Sequence, residues 1–277
     1  MALVARFTAD PTAALEGCES YLVSDPVAHN VVLTVVRRRS VDGLPGRYWW
    51  VEHDGAVVGF AMWAPLTFHM AAITPVTAPV AQTLVDVMSE TVPDLPGVAG
   101  DAAAAASFAG SWAERLRVPA TPVEAQRMYR LADLCPPNGV PGRYRRAEAA
   151  DRDTLLAHCE GFNADTGASG EVEPATFVDR SLGDGRYVVW EDDGVVSSAT
   201  LTPPEVGVVR VGAVYTPPEH RGHGYASACV AAASAWAREH DNAECMLYTQ
   251  LANPTSNAIY RAIGYEPVGE ILRYRFG

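Results

Sequence analysis

The chain has 277 residues, enough for one large domain or two of ordinary size, and 48% of them are hydrophobic against 19% charged. That balance belongs to a globular protein with a real core. No apolar run reaches the ~18 residues of a membrane span, and Met1–Arg6 has no secretory pattern. The net charge is −12 and all 21 strongly basic side chains are arginines, which excludes the basic footprint of general nucleic-acid binding and suits a cationic amine substrate.

The five cysteines (Cys18, Cys135, Cys159, Cys229, Cys245) are odd in number and scattered, with no C-x-x-C pair. They predict buried, reduced thiols and a cytoplasmic protein rather than a disulfide framework or a zinc site.

Along the chain, the first clear element is a hairpin. Arg47-Tyr48-Trp49-Trp50-Val51 reads as a strand, Asp54-Gly55 as a tight turn, and a second strand follows that ends before Pro65. Met70–Pro75 predicts a further strand and Val80–Glu90 a helix. No glycine lies between Gly59 and Gly97 and no arginine between Arg47 and Arg115, so nothing here can cradle a phosphate.

The hairpin recurs 139 residues later without a gap, as Arg186-Tyr187-Val188-Val189-Trp190-Glu191-Asp192-Asp193-Gly194, with its second strand ending before Pro204. Two copies of one fold are expected, residues 1–138 and 139–277, with the seam in the Pro- and Gly-rich Cys135–Gly142. The carboxylates of Glu191–Asp193 belong to that turn, and Trp49, Trp50, Trp63 and Trp190 are expected core residues.

The second copy continues with a strand, Val208–Tyr215, then Thr216-Pro217-Pro218-Glu219-His220-Arg221-Gly222-His223-Gly224-Tyr225-Ala226, then an alanine-rich helix over Ser227–Glu239 with Val230 and Trp236 as larger contacts. Gly222 and Gly224 let backbone N–H groups turn inward, the helix start adds unsatisfied N–H groups, and Arg221 adds a positive charge. Such a place suits a pyrophosphate. His220 and His223 have no partner pattern for a metal. After a strand over Glu244–Thr249, Asn253 and Pro254 open a short helix closed by Gly264, and a last strand runs to Phe276.

Arg221-Gly222-His223-Gly224-Tyr225-Ala226 resembles the R/Q-x-x-G-x-G/A cofactor motif of the GNAT acetyltransferase superfamily, and Asn253-x-x-Ser256-x-x-x-Tyr260-x-x-x-Gly264-Tyr265 is similar to its second motif. The resemblance covers about 135 residues, from 143 onward. It implies an α/β fold of the α+β type, a mixed sheet with two splayed central strands, in two tandem GNAT-like domains of which the first has lost its cofactor site. It further implies acetyl-CoA as co-substrate, an amine of a small molecule or peptide as acceptor, and no metal. Backbone groups of Val214, Tyr215 and Thr216 would bind the pantetheine arm and residues 221–226 the pyrophosphate. Asn253 and Ser256 would lie near the cofactor, and Tyr260 beside the thioester sulfur. A general base stays open among Glu160, Glu171, Glu173 and Glu205. A module that binds acyl-CoA without catalysis is the alternative, and thiol release with an amine decides between them.

Overall fold

In the computed structural model, which describes residues 2–64, 69–167 and 172–277, both Asp-Gly pairs form tight left-handed turns. Asp54 and Gly55 have φ of 53° and 79°, Asp193 and Gly194 of 51° and 141°. Asp tolerates and Gly favours this region, and such turns match the twist of the strands they join. The first joins β2 (Arg47–His53) to β3 (Ala56–Trp63); the second joins β8 (Tyr187–Glu191) to β9 (Val195–Leu201). Each ladder carries a bulge at the same place, between Val51 and Glu52 and between Trp190 and Glu191.

Register extends the repeat well beyond the hairpin. β1 (Val4–Thr8) pairs Val4 with Glu52, and β7 (Arg143–Arg146) pairs Arg143 with Glu191. β4 (Ala71–Ile73) pairs Ile73 with Ala61, and β10 (Val208–Tyr215) pairs Gly212 with Thr200. Every one of these residues lies 139 positions from its counterpart. The offset then fails. Twenty-seven residues separate Ala71 from Val98, its parallel partner on β5 (Gly97–Asp101), whereas thirty-six separate Arg210 from Met246 on β11 (Glu244–Gln250). The first copy is shorter across the stretch that holds the glycine loop in the second.

The chain folds into two compact units, one of residues 1–127, 250–252 and 269–277, the other of 128–249 and 253–268. Compactness thus draws the boundaries elsewhere than at the Pro/Gly-rich 135–142, which lies inside the second unit. The last residues of β12 (Tyr265–Phe276) belong to the first unit because they pair with β5, from Ile271↔Asp101 to Arg275↔Gly97.

In the first unit α1 (Pro11–Leu22) and α2 (Asn30–Asp42) pack on one side of the strands, burying Leu22, Leu33 and Val36 against Tyr48 and Phe60. On the other side α3 (Ala78–Thr91) and α4 (Ala102–Leu116) bury Leu84, Met88, Phe108 and Trp112 with Trp49. β6 (Ala120–Leu131) leads out of this unit.

In the second unit α5 (Arg152–Thr166) and α6 (Pro174–Gly183) cover Tyr187 and Val189 with Leu155, Cys159 and Val178. The opposite face of the strands receives α7 (Tyr225–Asp241) and α8 (Pro254–Ala262). Ala228, Ala231, Ala233 and Ala237 are all buried, so the small side chains of α7 let it lie close on Val209, Val211, Cys245 and Leu247.

Several expectations change. The helix expected over Ser227–Glu239 is α7, two residues longer at each end. Val230 is buried, but Trp236 is only partly so, with the guanidinium groups of Arg186 and Arg146 5.2 and 5.5 Å from its ring centre. Of the four strand tryptophans only Trp49 is fully buried. Four cysteines are buried and free, whereas Cys135 is exposed, on the loop after β6. Pro65 lies outside the described residues. Among the described residues no helix is long and apolar enough to cross a membrane.

Candidate active site

The site grows from the end of β10. Its parallel pairing with β11 runs from Val208↔Glu244 to Val211↔Leu247, while the strands continue to Tyr215 and Gln250. On the other side the antiparallel ladder with β9 shifts register between Gly212↔Thr200 and Tyr215↔Ser198. The shift falls on Ala213, a non-glycine residue at φ 44°, and such a bulge turns peptide groups out of their regular direction. Val214 follows directly, beyond the last parallel pair of β10 with β11.

Tyr215 leaves the strand with its hydroxyl against Gly161 of α5, where an added Cβ would come within 2.3 Å of it. Its carbonyl accepts from the Ser197 hydroxyl at 3.1 Å, and the Thr216 hydroxyl donates to Ser197 at 2.9 Å. The Thr216 carbonyl accepts from Arg221 Nε at 2.9 Å. A short 3-10 turn, Pro218–His220, leads into the loop.

Gly222 and Gly224 both stand at φ 83°, and Gly224 is the residue from which α7 starts. Arg221, Gly222, His223 and Gly224 are exposed. The first-turn N–H groups of a helix have no partner within it, and α7 has no side-chain cap. Asp10, Asp101, Glu173 and Asn253 cap four of the other α-helices, whereas α2, α3 and α5 share the lack of a side-chain cap but have no pair of left-handed glycines directly before them. The start of α7 therefore presents backbone donors, among them those of Tyr225 and Ala226, to an anion.

The loop's side chains take other tasks. Arg221 does not lie over the loop: besides Thr216 it holds Asp165 at 2.5 Å, with its guanidinium 5.8 Å from the centre of the Tyr215 ring. The Tyr225 hydroxyl donates to Asp192 at 2.5 Å, and its ring stacks on His223 at 5.5 Å. His223 is held by the His220 carbonyl at 3.2 Å.

Asn253 caps α8 through the backbone N–H of Ser256, 3.0 Å away. Its carbonyl accepts from the Asn257 side chain at 2.6 Å, and Asn257 in turn accepts from the Tyr129 hydroxyl at 2.8 Å. Tyr260 packs its ring on Tyr129 and Tyr265, at 6.3 and 6.2 Å. Among the described residues its hydroxyl has no hydrogen-bond partner. Burial raises its pKa, so the phenol stays protonated at neutral pH.

The base candidates separate. Glu173 caps α6 by accepting the Thr176 N–H at 2.9 Å, which holds its carboxyl below the usual range and makes it a weak base. Glu205 lies on the turn before β10, its backbone bonded to Val208. Glu160 is exposed on α5, and Glu171 lies outside the described residues. The hairpin carboxylate Glu191 is engaged by Arg143 and Arg145, at 2.7 and 2.9 Å. Among the described residues no three His, Cys, Asp or Glu side chains group to hold a metal.

One residue had no signal in the sequence. His158, on α5, is buried, with Nδ1 2.9 Å from the Ser198 hydroxyl and its ring 5.4 Å from that of Tyr215. Burial, with His220 nearby, pushes its pKa down to about 4, so a neutral imidazole stands behind the end of β10. A lone helical histidine has no motif, and its partners come from strands forty and more residues away.

Residues 152–265 match the model of the Acetyltransferase (GNAT) family. Solved structures agree over the whole length. An acetyltransferase of the GNAT family from Colwellia psychrerythraea is 12% identical with a TM-score of 0.62, each chain covered at 100%. A GCN5-related N-acetyltransferase from Sphaerobacter thermophilus is 16% identical with a TM-score of 0.66, over 99% of this chain and 95% of the other. A tandem GNAT protein from the clavulanic acid biosynthesis pathway is 12% identical with a TM-score of 0.55, over 99% and 98%. At these identities the likeness is one of fold, and no curated protein matches the chain. The chain thus has the fold of two tandem GNAT-like domains, and its residues 152–265 match the model of the GNAT acetyltransferase family.

Proposed function

We propose that this protein is an N-acetyltransferase that moves the acetyl group of acetyl-CoA to an amine, with the chemistry in the second unit, broadly residues 139–277, and a first copy that binds no cofactor. The observation that carries this reading is the start of α7: two left-handed glycines and an uncapped helix end, one short loop away from the point where β10 and β11 part. Together they offer a cradle for a pyrophosphate and an opening for a thin pantetheine arm.

In this reading the backbone donors of residues 222–226 hold the pyrophosphate, and the peptide groups of Val214, Tyr215 and Thr216 meet the arm. Asn253 and Ser256 fix the start of α8 and with it Tyr260. A neutral amine attacks the thioester carbonyl carbon in a ternary complex, and the Val214 N–H donates to the oxyanion. As the C–S bond breaks, the Tyr260 hydroxyl donates its proton to the departing sulfur and is reprotonated from water before the next turnover. The amine's proton passes to a carboxylate within reach or through water to bulk. Acetyl-CoA binding measured by calorimetry, followed by thiol release with an amine panel, tests the reading. Binding without thiol release for any amine would instead leave a module that only binds acyl-CoA.

A further inference from the structure

β9 carries two serines in the middle of a buried strand, Ser197 and Ser198, between Val196 and Ala199. Ser197 is fully buried, and a buried hydroxyl is costly unless it finds hydrogen-bond partners. It finds them at the end of β10. The Ser197 hydroxyl donates to the Tyr215 carbonyl at 3.1 Å and accepts from the Thr216 hydroxyl at 2.9 Å. The donors thus run one way, from Thr216 through Ser197 to Tyr215.

Peptide planarity turns this contact into a direction. The Tyr215 carbonyl and the Thr216 N–H belong to one trans peptide, so they point opposite ways. With the carbonyl held by a β9 side chain, the N–H points away from β9. On that side β10 has already left β11, since their last pair is Val211↔Leu247. The next carbonyl, that of Thr216, is claimed by Arg221 Nε at 2.9 Å, and Pro217 has no N–H to offer. Two successive carbonyls are therefore occupied from within the chain, and the strand end offers the Thr216 N–H as a fixed donor. The first copy lacks the device: Val58, 139 positions before Ser197, has no hydroxyl. The serine stands only in the copy that also has the glycine loop.

We propose that Ser197 is a positioning residue for the pantetheine arm, holding the Tyr215–Thr216 peptide so that the Thr216 N–H donates to an amide carbonyl of the arm. This rests on the reading above that acetyl-CoA is the ligand of the site. Ser197 acts through the peptide and not on the reacting atoms. A donor fixed before the ligand arrives spares the complex the cost of ordering it. The nucleotide end of CoA, seated on the glycine loop, does not use this donor, so the two ends of one ligand should respond differently to loss of the hydroxyl.

The test uses the full chain and two ligands, CoA and 3′-phospho-ADP, which keeps the pyrophosphate without the arm. Both are titrated by calorimetry into wild type, Ser197→Ala, Thr216→Val and Thr216→Ser. In Ser197→Ala, CoA is expected to bind about 3- to 10-fold more weakly, the size of one hydrogen bond, while 3′-phospho-ADP stays within about twofold. Thr216→Val, which leaves Ser197 bonded to Tyr215, should lose less, and Thr216→Ser, which keeps the hydroxyl, should match wild type. In turnover, Ser197→Ala should raise KM for acetyl-CoA and leave kcat nearly unchanged. If Ser197→Ala does not fold, the selective loss of CoA affinity in Thr216→Val decides the matter. A serine that only fills the core predicts that both ligands weaken together or that neither does, and either result overturns the proposal. Wild type that binds 3′-phospho-ADP and CoA equally well overturns it too, because the arm then gains nothing. Absence of CoA binding in wild type would overturn the acetyl-CoA reading and this proposal with it.

Discussion

Arg221 Nη2 lies 2.5 Å from Asp165 Oδ2, so the one guanidinium of the glycine loop is tied to the last turn of α5 rather than laid over the loop. Both side chains are about half exposed, which limits what the pair adds to stability. Asp165→Ala is expected to cost less than about 1 kcal/mol in urea unfolding. It should also free Arg221 for the anion, so CoA affinity rises by up to a few-fold. A tenfold loss of affinity would mean that the ion pair holds the loop in shape.

One CoA per chain is expected. In the first unit β4 ends at Ile73 and stays paired with β5 to its end, Ile73↔Gly100. Val76 and Val80 fill the space over Gly59, where a Cβ would meet each of them at 2.6 Å. α3 starts from Thr77, with no glycine nest before it. Calorimetry with a stoichiometry near two would contradict this account of the first copy.

Gly224→Val is expected to weaken CoA binding by about 2 kcal/mol or more, through lost charge-assisted hydrogen bonds and backbone strain. A side chain at φ 83° is strained, and its Cβ would lie 3.1 Å from Val140. The loop is exposed, so the fold should survive with a stability loss of about 1–3 kcal/mol. A folded variant with unchanged affinity would reduce the motif to a turn.

Acid should destabilise the fold partly through His158. Its pKa falls from 6.5 unfolded to about 4 folded, so the unfolded chain binds more protons between those values. The stability is complete near pH 7 and is lost as pH falls toward 4. Wild type should lose about 1–2 kcal/mol more than His158→Gln between pH 7 and pH 5. His29 shifts the same way, which is why the comparison must be with the variant. Equal losses in urea melts of the two proteins would show His158 to be solvated.

Tyr260→Phe keeps the ring between Tyr129 and Tyr265 and removes a hydroxyl with no partner among the described residues, so stability should change by less than about 1 kcal/mol. Loss of the donor to sulfur should lower kcat by about 10- to 1,000-fold, roughly 1.4–4 kcal/mol, with CoA affinity nearly intact. Wild-type turnover in this variant would remove Tyr260 from the mechanism.

What could be read from the sequence alone was local. Asp-Gly turns, the Asn253-Pro254 helix start and the glycines before α7 work through the φ preferences and hydrogen bonds of neighbouring residues, and those preferences hold in any fold. The repeat was legible for a related reason: the same local signals recur at one spacing. Tertiary structure decided the rest. Arg221 turns toward Asp165, Tyr225 toward Asp192, and Glu173 into a helix cap, each claimed by a partner that chain folding brings near. Cys135 is exposed although its type is commonly buried, and residues 269–277 join the first unit because a strand goes where its ladder is. His158 beside Ser198 and Ser197 beside Tyr215 are brought together by strand register and helix packing, which depend on every contact of the sheet at once and so have no short motif.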